Sequence, residues 1–217
     1  MASRPQPTAS RRSGARLYLV TPLVAEPAAY AGPLAAALAA GDIAAVLLRL
    51  AVADERTLIN RIKEIAFAVQ EHGTALLLDG RPELVARSGA DGAHLTGTEA
   101  MKEAIGALKP ERIAGVGGLA SRHDAMLAAE SGADYVMFGE PDRAGKRPSF
   151  EAIHERVAWW TEVFEVPCVA YAAGLDEVND LAAAEFVAVG EFVFTDSRGP
   201  AAAIADAAAR LKAETPA

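Results

Sequence analysis

Five residues of this 217-residue chain have types and spacing suited to handling a charged small molecule: Arg49, Asp79, His94, Glu99 and Lys146. Asp79 closes the apolar run Leu76-Leu-Leu-Asp79 and precedes Gly80-Arg-Pro82. A short helix after Pro82, then a strand ending near His94, would set Asp79 and the residues beyond His94 on one rim of a parallel sheet. That rim is where barrels and open α/β sheets carry chemistry. Asp79 and Glu99 could share a hard cation such as Mg²⁺, which binds through one or two carboxylates plus substrate phosphates. The plainer reading makes Asp79 a helix cap and Glu99 a solvated first-turn acid.

Arg49 ends the apolar run Val46-Leu-Leu-Arg49. A lone guanidinium there needs an anion beside it, either a ligand phosphate or Asp79 from the next strand. His94 reads first as a hydrogen-bonded core histidine and second as a catalytic one. Gly117-Gly118, Ala173-Gly174 and Gly199 could each turn backbone N–H groups toward a phosphate. Lys146 lies on a loop seven residues beyond Gly139. That is too far from a strand for a buried Schiff-base lysine.

The elements that must position these groups alternate regularly. Strands are expected at Leu17–Val20 (stopped by Thr21-Pro22), 43–50, 74–79, 92–95, 112–116, 134–138, 169–171 and 186–189. Helices are expected between them, including one capped by Asp54, one at 99–108 and one at Asp176–Ala184, with a last helix at 201–213. Eight strand–helix units of roughly 25 residues predict a single (β/α)8 TIM barrel over 16–217, with a doubly wound sheet as the alternative. The tetrapeptide Ser88-Gly-Ala-Asp91 returns as Ser131-Gly-Ala-Asp134 two units later, an internal repeat. Met1–Ala15, rich in Ser, Arg and Pro, is expected to be a flexible arm rather than a secretory signal.

Composition narrows the partners. A net charge of −8 argues against nucleic acid and anionic membranes, so an anionic ligand needs a local basic group. No apolar run is long enough to span a bilayer. The single cysteine, Cys168, sits in an apolar run and reads as a buried core residue. The expectation is a cytoplasmic enzyme-like domain, with homo-oligomerisation left open.

Leu17-Tyr-Leu-Val-Thr21, Val46-Leu-Leu-Arg49, Leu78-Asp79, Gly89-Ala-Asp-Gly-Ala-His-Leu95, Gly132-Ala-Asp-Tyr-Val-Met-Phe-Gly139 and Val166-Pro-Cys-Val-Ala-Tyr171 together resemble the thiamine phosphate synthase family and its thiazole-tautomerase relatives. The resemblance covers nearly the whole chain after the arm. It implies a (β/α)8 barrel that joins a pyrimidine diphosphate to a thiazole phosphate with Mg²⁺, releasing pyrophosphate through a carbocation-like step. It implies catalytic roles for Arg49, Asp79, His94 and Lys146, and metal binding by Asp79 and Glu99. Phosphate binding falls to Arg49, Gly117, Gly118, Lys146, Ala173 and Gly174.

Several family positions differ here. The Gln and Lys flanking the second-strand Arg are Leu47 and Ala51, the third-strand Asn is Leu78, and a phosphate-binding serine after the eighth strand aligns with Glu191. The resemblance therefore implies a family reaction weakened by lost pyrophosphate donors. Two other readings stay open: a non-catalytic barrel binding a thiamine-related or other small ligand, and a different phosphate-handling isomerase or epimerase.

Overall fold

The computed structural model describes residues 14–142 and 144–212. Nearly all of the expected arm and the last residues of the chain lie outside that range. Eight parallel strands close in chain order, with β8 returning to pair with β1: β1 (Arg16–Val24), β2 (Ile43–Leu50), β3 (Ala75–Asp79), β4 (Gly92–Thr96), β5 (Ile113–Gly117), β6 (Tyr135–Phe138), β7 (Cys168–Tyr171) and β8 (Phe186–Val189). Outside them pack α1 (Pro27–Ala40), α2 (Glu55–Gln70), α3 (Pro82–Ser88), α4 (Gly97–Leu108), α5 (Arg122–Glu130), α6 (Phe150–Val163), α7 (Glu191–Thr195) and α8 (Pro200–Lys212). This is the expected TIM barrel, and the doubly wound alternative is excluded by its closure.

The helices start where short polar side chains can take orphan N–H groups. Asp54 accepts from Thr57 N, Ser149 from Ala152 N, and Ser121 forms a reciprocal capping box with Asp124. Alternation along the strands then divides the core in two. One set, including Leu19, Val46, Leu48, Leu76, Leu78 and Val187, faces the helices. The other, including Tyr18, Val20, Leu47, Leu77, Tyr135, Met137 and Val169, fills the barrel interior. Cys168 is fully buried in the outer layer, as expected, and desolvation pushes its thiol pKa up.

Two expectations about elements are corrected. The first strand does not stop at Thr21-Pro22. The pairing shifts from Val20↔Leu47 to Leu23↔Arg49, so β1 carries one extra residue in a bulge and resumes beyond it. Pro22 is accommodated at the bulge because no ladder N–H is demanded of it, while Thr21 Oγ1 accepts from Arg49 N at 3.0 Å. After β7 the expected helix is replaced by a single 3-10 turn, Leu175–Glu177, and irregular turns. Glu177 there turns its carboxylate back onto Ala173 N and the Arg147 guanidinium, and Asn179-Asp180 follow with poor helix propensity.

The repeated tetrapeptide acquires a structural meaning at the N-terminal end of the barrel. Asp91, just before β4, accepts the backbone N–H of Leu76 in β3 at 2.8 Å. Asp134, just before β6, accepts that of Ala114 in β5, also at 2.8 Å. Glu185, before β8, does the same for Cys168 in β7 at 3.0 Å. Each acid fastens a strand to the one before it. Among the described residues, no helix is long and apolar enough to cross a membrane.

Candidate functional site

The C-terminal ends of β2, β3 and β4 bring three of the expected residues together. Arg49 is the penultimate residue of β2, and its Nε lies 3.4 Å from Asp79 Oδ2 at the end of β3. Their side chains remain 48% and 34% exposed, so the pair sits on an open rim and adds at most about 1 kcal/mol of stability. Asp79 and His94 are register partners across β3 and β4. The apolar neighbours do not fill this end: Leu78 faces the helices, Leu50 packs against the outer layer, and only Leu47 points into the barrel.

Beneath the rim runs a buried polar chain that sequence reasoning missed. Tyr18 Oη lies 2.8 Å from Tyr135 Oη, which lies 2.9 Å from His94 Nδ1. His94 Nε2 is 3.6 Å from Glu140 Oε1, and that oxygen accepts from Gly118 N at 2.5 Å. For a neutral imidazole, counting donors sets the direction of the chain. Tyr18 donates to Tyr135, Tyr135 donates to His94 Nδ1, and the hydrogen left on Nε2 faces the Glu140 carboxylate. The reverse order would strand the Tyr18 hydrogen and aim a lone pair at the carboxylate. Desolvation raises the pKa of both phenols, and the charges of Glu140 and Asp79 raise them further, so both keep their protons.

One signal in the sequence could have found this chain. Gly115 stands in mid-strand in β5, and a Cβ there would fall 1.9 Å from the Tyr135 ring. The missing side chain is the space into which the tyrosine folds.

Beside the rim opens a cavity of about 460 Å³, between the β1 bulge, α1, Arg49, Tyr171 and α7. Its wall includes Thr21, Tyr30, Glu191, Phe194 and Thr195, with Tyr30 and Phe194 edge to face. Arg49 is the one cation among the described residues that line it. Burial raises the Tyr171 pKa, against the lowering pull of Arg49 and Arg147. Gly190 leaves room for the Tyr171 hydroxyl, which a Cβ there would approach to 2.7 Å.

Other expected site residues stand apart or are already engaged. Glu99 is exposed in the first turn of α4 and bound by Lys102 at 2.8 Å. Lys146 is exposed on the β6–α6 loop, with its backbone N–H held by Asp142 Oδ1. Gly117 lies against the Glu140 carboxylate, and Gly118 gives its N–H to it. Ala173 gives its N–H to Glu177, whose carboxylate also receives both bonds from Arg147 Nη1 at 2.9 Å. Arg147 further binds the Tyr171 carbonyl, tying the β6–α6 loop to the end of β7. Among the described residues, no group of three or more His, Cys, Asp or Glu side chains is placed to hold a metal. Asp79 nevertheless meets the lesser demand of Mg²⁺, which takes one or two carboxylates and fills its other positions with phosphate and water.

The model of the family described as thiamine monophosphate synthase matches residues 17–193, from the first residues of β1 into α7. The chain belongs to that family. The thiamine-phosphate synthase of Rhodospirillum centenum is 43% identical over 196 residues, covering 88% of this chain and 95% of that one. That of Hyphomonas neptunium is 36% identical over 208 residues, covering 91% and 94%. Among solved structures, thiamine phosphate pyrophosphorylase from Pyrococcus furiosus superposes with a TM-score of 0.72 at 20% identity, covering 91% of this chain and 96% of that one. At that identity the likeness speaks for the barrel alone. Family membership accounts for the barrel, and the matched range contains Arg49, Asp79 and His94.

Proposed function

We propose that this protein is a thiamine-phosphate synthase, joining a pyrimidine diphosphate to a thiazole phosphate and releasing pyrophosphate. The observation that carries the reading is the Arg49–Asp79 pair, 3.4 Å apart on the C-terminal rim, with Arg49 also lining a cavity large enough for a small heterocycle. In this reaction the bond from the pyrimidine methylene carbon to the diphosphate oxygen breaks, and the thiazole nitrogen bonds to that carbon. The departing pyrophosphate takes the electron pair.

The positive charge that develops belongs to the substrate, so the protein's task is to orient the two rings and neutralise the leaving group. The Arg49 guanidinium is the cation that would neutralise the negative charge of the leaving pyrophosphate. Asp79 would hold Mg²⁺ together with the substrate's phosphates, and Glu99 would join it only after leaving Lys102. When bound, the ion supplies charge neutralisation on the phosphate oxygens. Tyr30, Tyr171 and Phe194 offer ring faces against which a heterocycle can lie. The test is pyrophosphate release by the purified protein in the presence of both substrates and Mg²⁺. Release that requires both substrates supports the reading, and none above background removes it.

A second reading has its own observation. The N–H groups of Gly118 and Ala173, which the family resemblance assigns to phosphate, are taken by Glu140 and Glu177. A barrel that binds a thiamine-related phosphate without turning it over would keep Arg49 while losing such donors. It would give a ligand-dependent rise in melting temperature with no pyrophosphate released.

A further inference from the structure

Glu140 is unusual among the acids of this protein. It lies just beyond β6, its side chain only 19% exposed, with Oε1 on Gly118 N at 2.5 Å and facing His94 Nε2 at 3.6 Å. Its other oxygen, Oε2, is buried without a hydrogen-bond partner. The fit is close on every side. A Cβ on Gly117 would fall 1.8 Å from Oε1, so a glycine at the end of β5 is what admits the carboxylate. His94 cannot turn away without giving up Tyr135, which in turn holds Tyr18. A fixed imidazole edge, a backbone N–H and a glycine-sized space together form a small anion seat, and the protein's own carboxylate occupies it.

We infer that Glu140 is a specificity-determining residue: it closes the Gly117–Gly118 corner to anions, so a ligand seats its phosphate at Arg49 and turns a non-anionic end toward Glu140. That the ligand is phosphorylated rests on the function proposed above; the closure of the corner rests on the geometry alone. A phosphate entering beside Glu140 would meet a full negative charge and lose the N–H that could have neutralised it. Glu191 lines the neighbouring cavity with a carboxylate of its own, and Arg49 is the cation there toward which an anionic end is drawn.

The experiment is calorimetric titration of inorganic pyrophosphate, with Mg²⁺ held constant, into the wild-type protein, Glu140→Gln and Glu140→Ala. Glu140→Gln keeps the shape and the Gly118 bond while removing the charge. Glu140→Ala empties the seat. Both are expected to bind pyrophosphate about tenfold more tightly than wild type, the size expected for removing one like charge several ångströms away at an intermediate dielectric. Equal or weaker binding in both variants, or no binding by any of the three proteins, would overturn the inference. Circular-dichroism melts confirm the fold, and if Glu140→Ala does not fold, Glu140→Gln decides alone. Because the readout is binding, the outcome stands apart from whether the protein turns over its substrates.

Discussion

The two ends of this barrel use carboxylates in opposite ways. At the N-terminal end, Asp91, Asp134 and Glu185 each accept a backbone N–H of the preceding strand, and Gln70 or Lys109 adds a further bond to the two aspartates. Those charges are spent on holding the chain together. At the C-terminal end, Asp79 faces a half-exposed Arg49 at 3.4 Å, and Glu140 keeps one buried oxygen without a donor. Asp79 is partly exposed on a rigid frame and so available for a ligand. Glu140 and Glu177 at the same end are instead held by Gly118 N, Ala173 N and Arg147. On the function proposed, the acids before β4, β6 and β8 serve stability and Asp79 at the opposite end serves chemistry.

The largest effect expected from a single change away from the rim acids is at Arg49. Arg49→Ala should lower turnover on the order of a hundredfold by removing the cation that faces the leaving group. It should change the unfolding free energy by less than about 1 kcal/mol, because the ion pair it breaks is half exposed. Steady-state kinetics and urea unfolding on the same preparation separate the two effects. A protein that loses its stability and keeps its turnover would reverse the roles assigned to the two ends.

A change at the opposite end should do the reverse. Asp91→Ala leaves the part-buried Leu76 N–H without its acceptor and should cost about 2 kcal/mol of stability, measured by urea unfolding. Turnover of the folded fraction should stay near wild type. Tyr135→Phe probes the seam between the two regions. It deletes the hydroxyl that links Tyr18 to His94 and leaves both with an unmade bond, for a loss of about 1–3 kcal/mol. An unchanged melting temperature would show that the chain contributes little to the fold.

The smallest effect concerns acid. Asp196, just past α7, is held down to about 2 from an ordinary 3.8, chiefly by its bond to the Arg198 guanidinium. A lowered folded-state pKa means that its stabilising contribution is complete above the ordinary value and disappears as pH falls through about 2. Thermal melts across that window should therefore fall less steeply for Asp196→Asn than for wild type. Identical slopes would show that the pair contributes nothing.

How much of this was legible in the sequence differs between the two ends. The barrel was readable because each strand is a short apolar run bounded by glycines, prolines or caps, and the repeated Ser-Gly-Ala-Asp marks the same turn twice. Its aspartates read as turn residues, and their grip on the neighbouring strand became visible only with the register in hand. Arg49 and Asp79 were legible because a charge at the end of an apolar strand requires a partner. Tyr18, Tyr135 and Glu140 were not, since two aromatics in buried strands look like packing. A glutamate before Pro141 looks like a loop. What joins them is closure of the barrel, which places β1, β4 and β6 around one interior and is written in no local window. Glu99 shows the converse: its spacing from Asp79 suggested a shared metal, and that spacing says nothing of its pairing with Lys102 in the first turn of α4.

The division between the two ends is tested most directly by measuring pyrophosphate release and unfolding free energy side by side for Asp79→Ala and Asp134→Ala. Asp79→Ala should lose about a thousandfold in turnover with its stability nearly unchanged. Asp134→Ala should lose about 2 kcal/mol of stability with turnover per folded molecule retained. The opposite pairing, or equal losses of both quantities in both variants, would contradict the account.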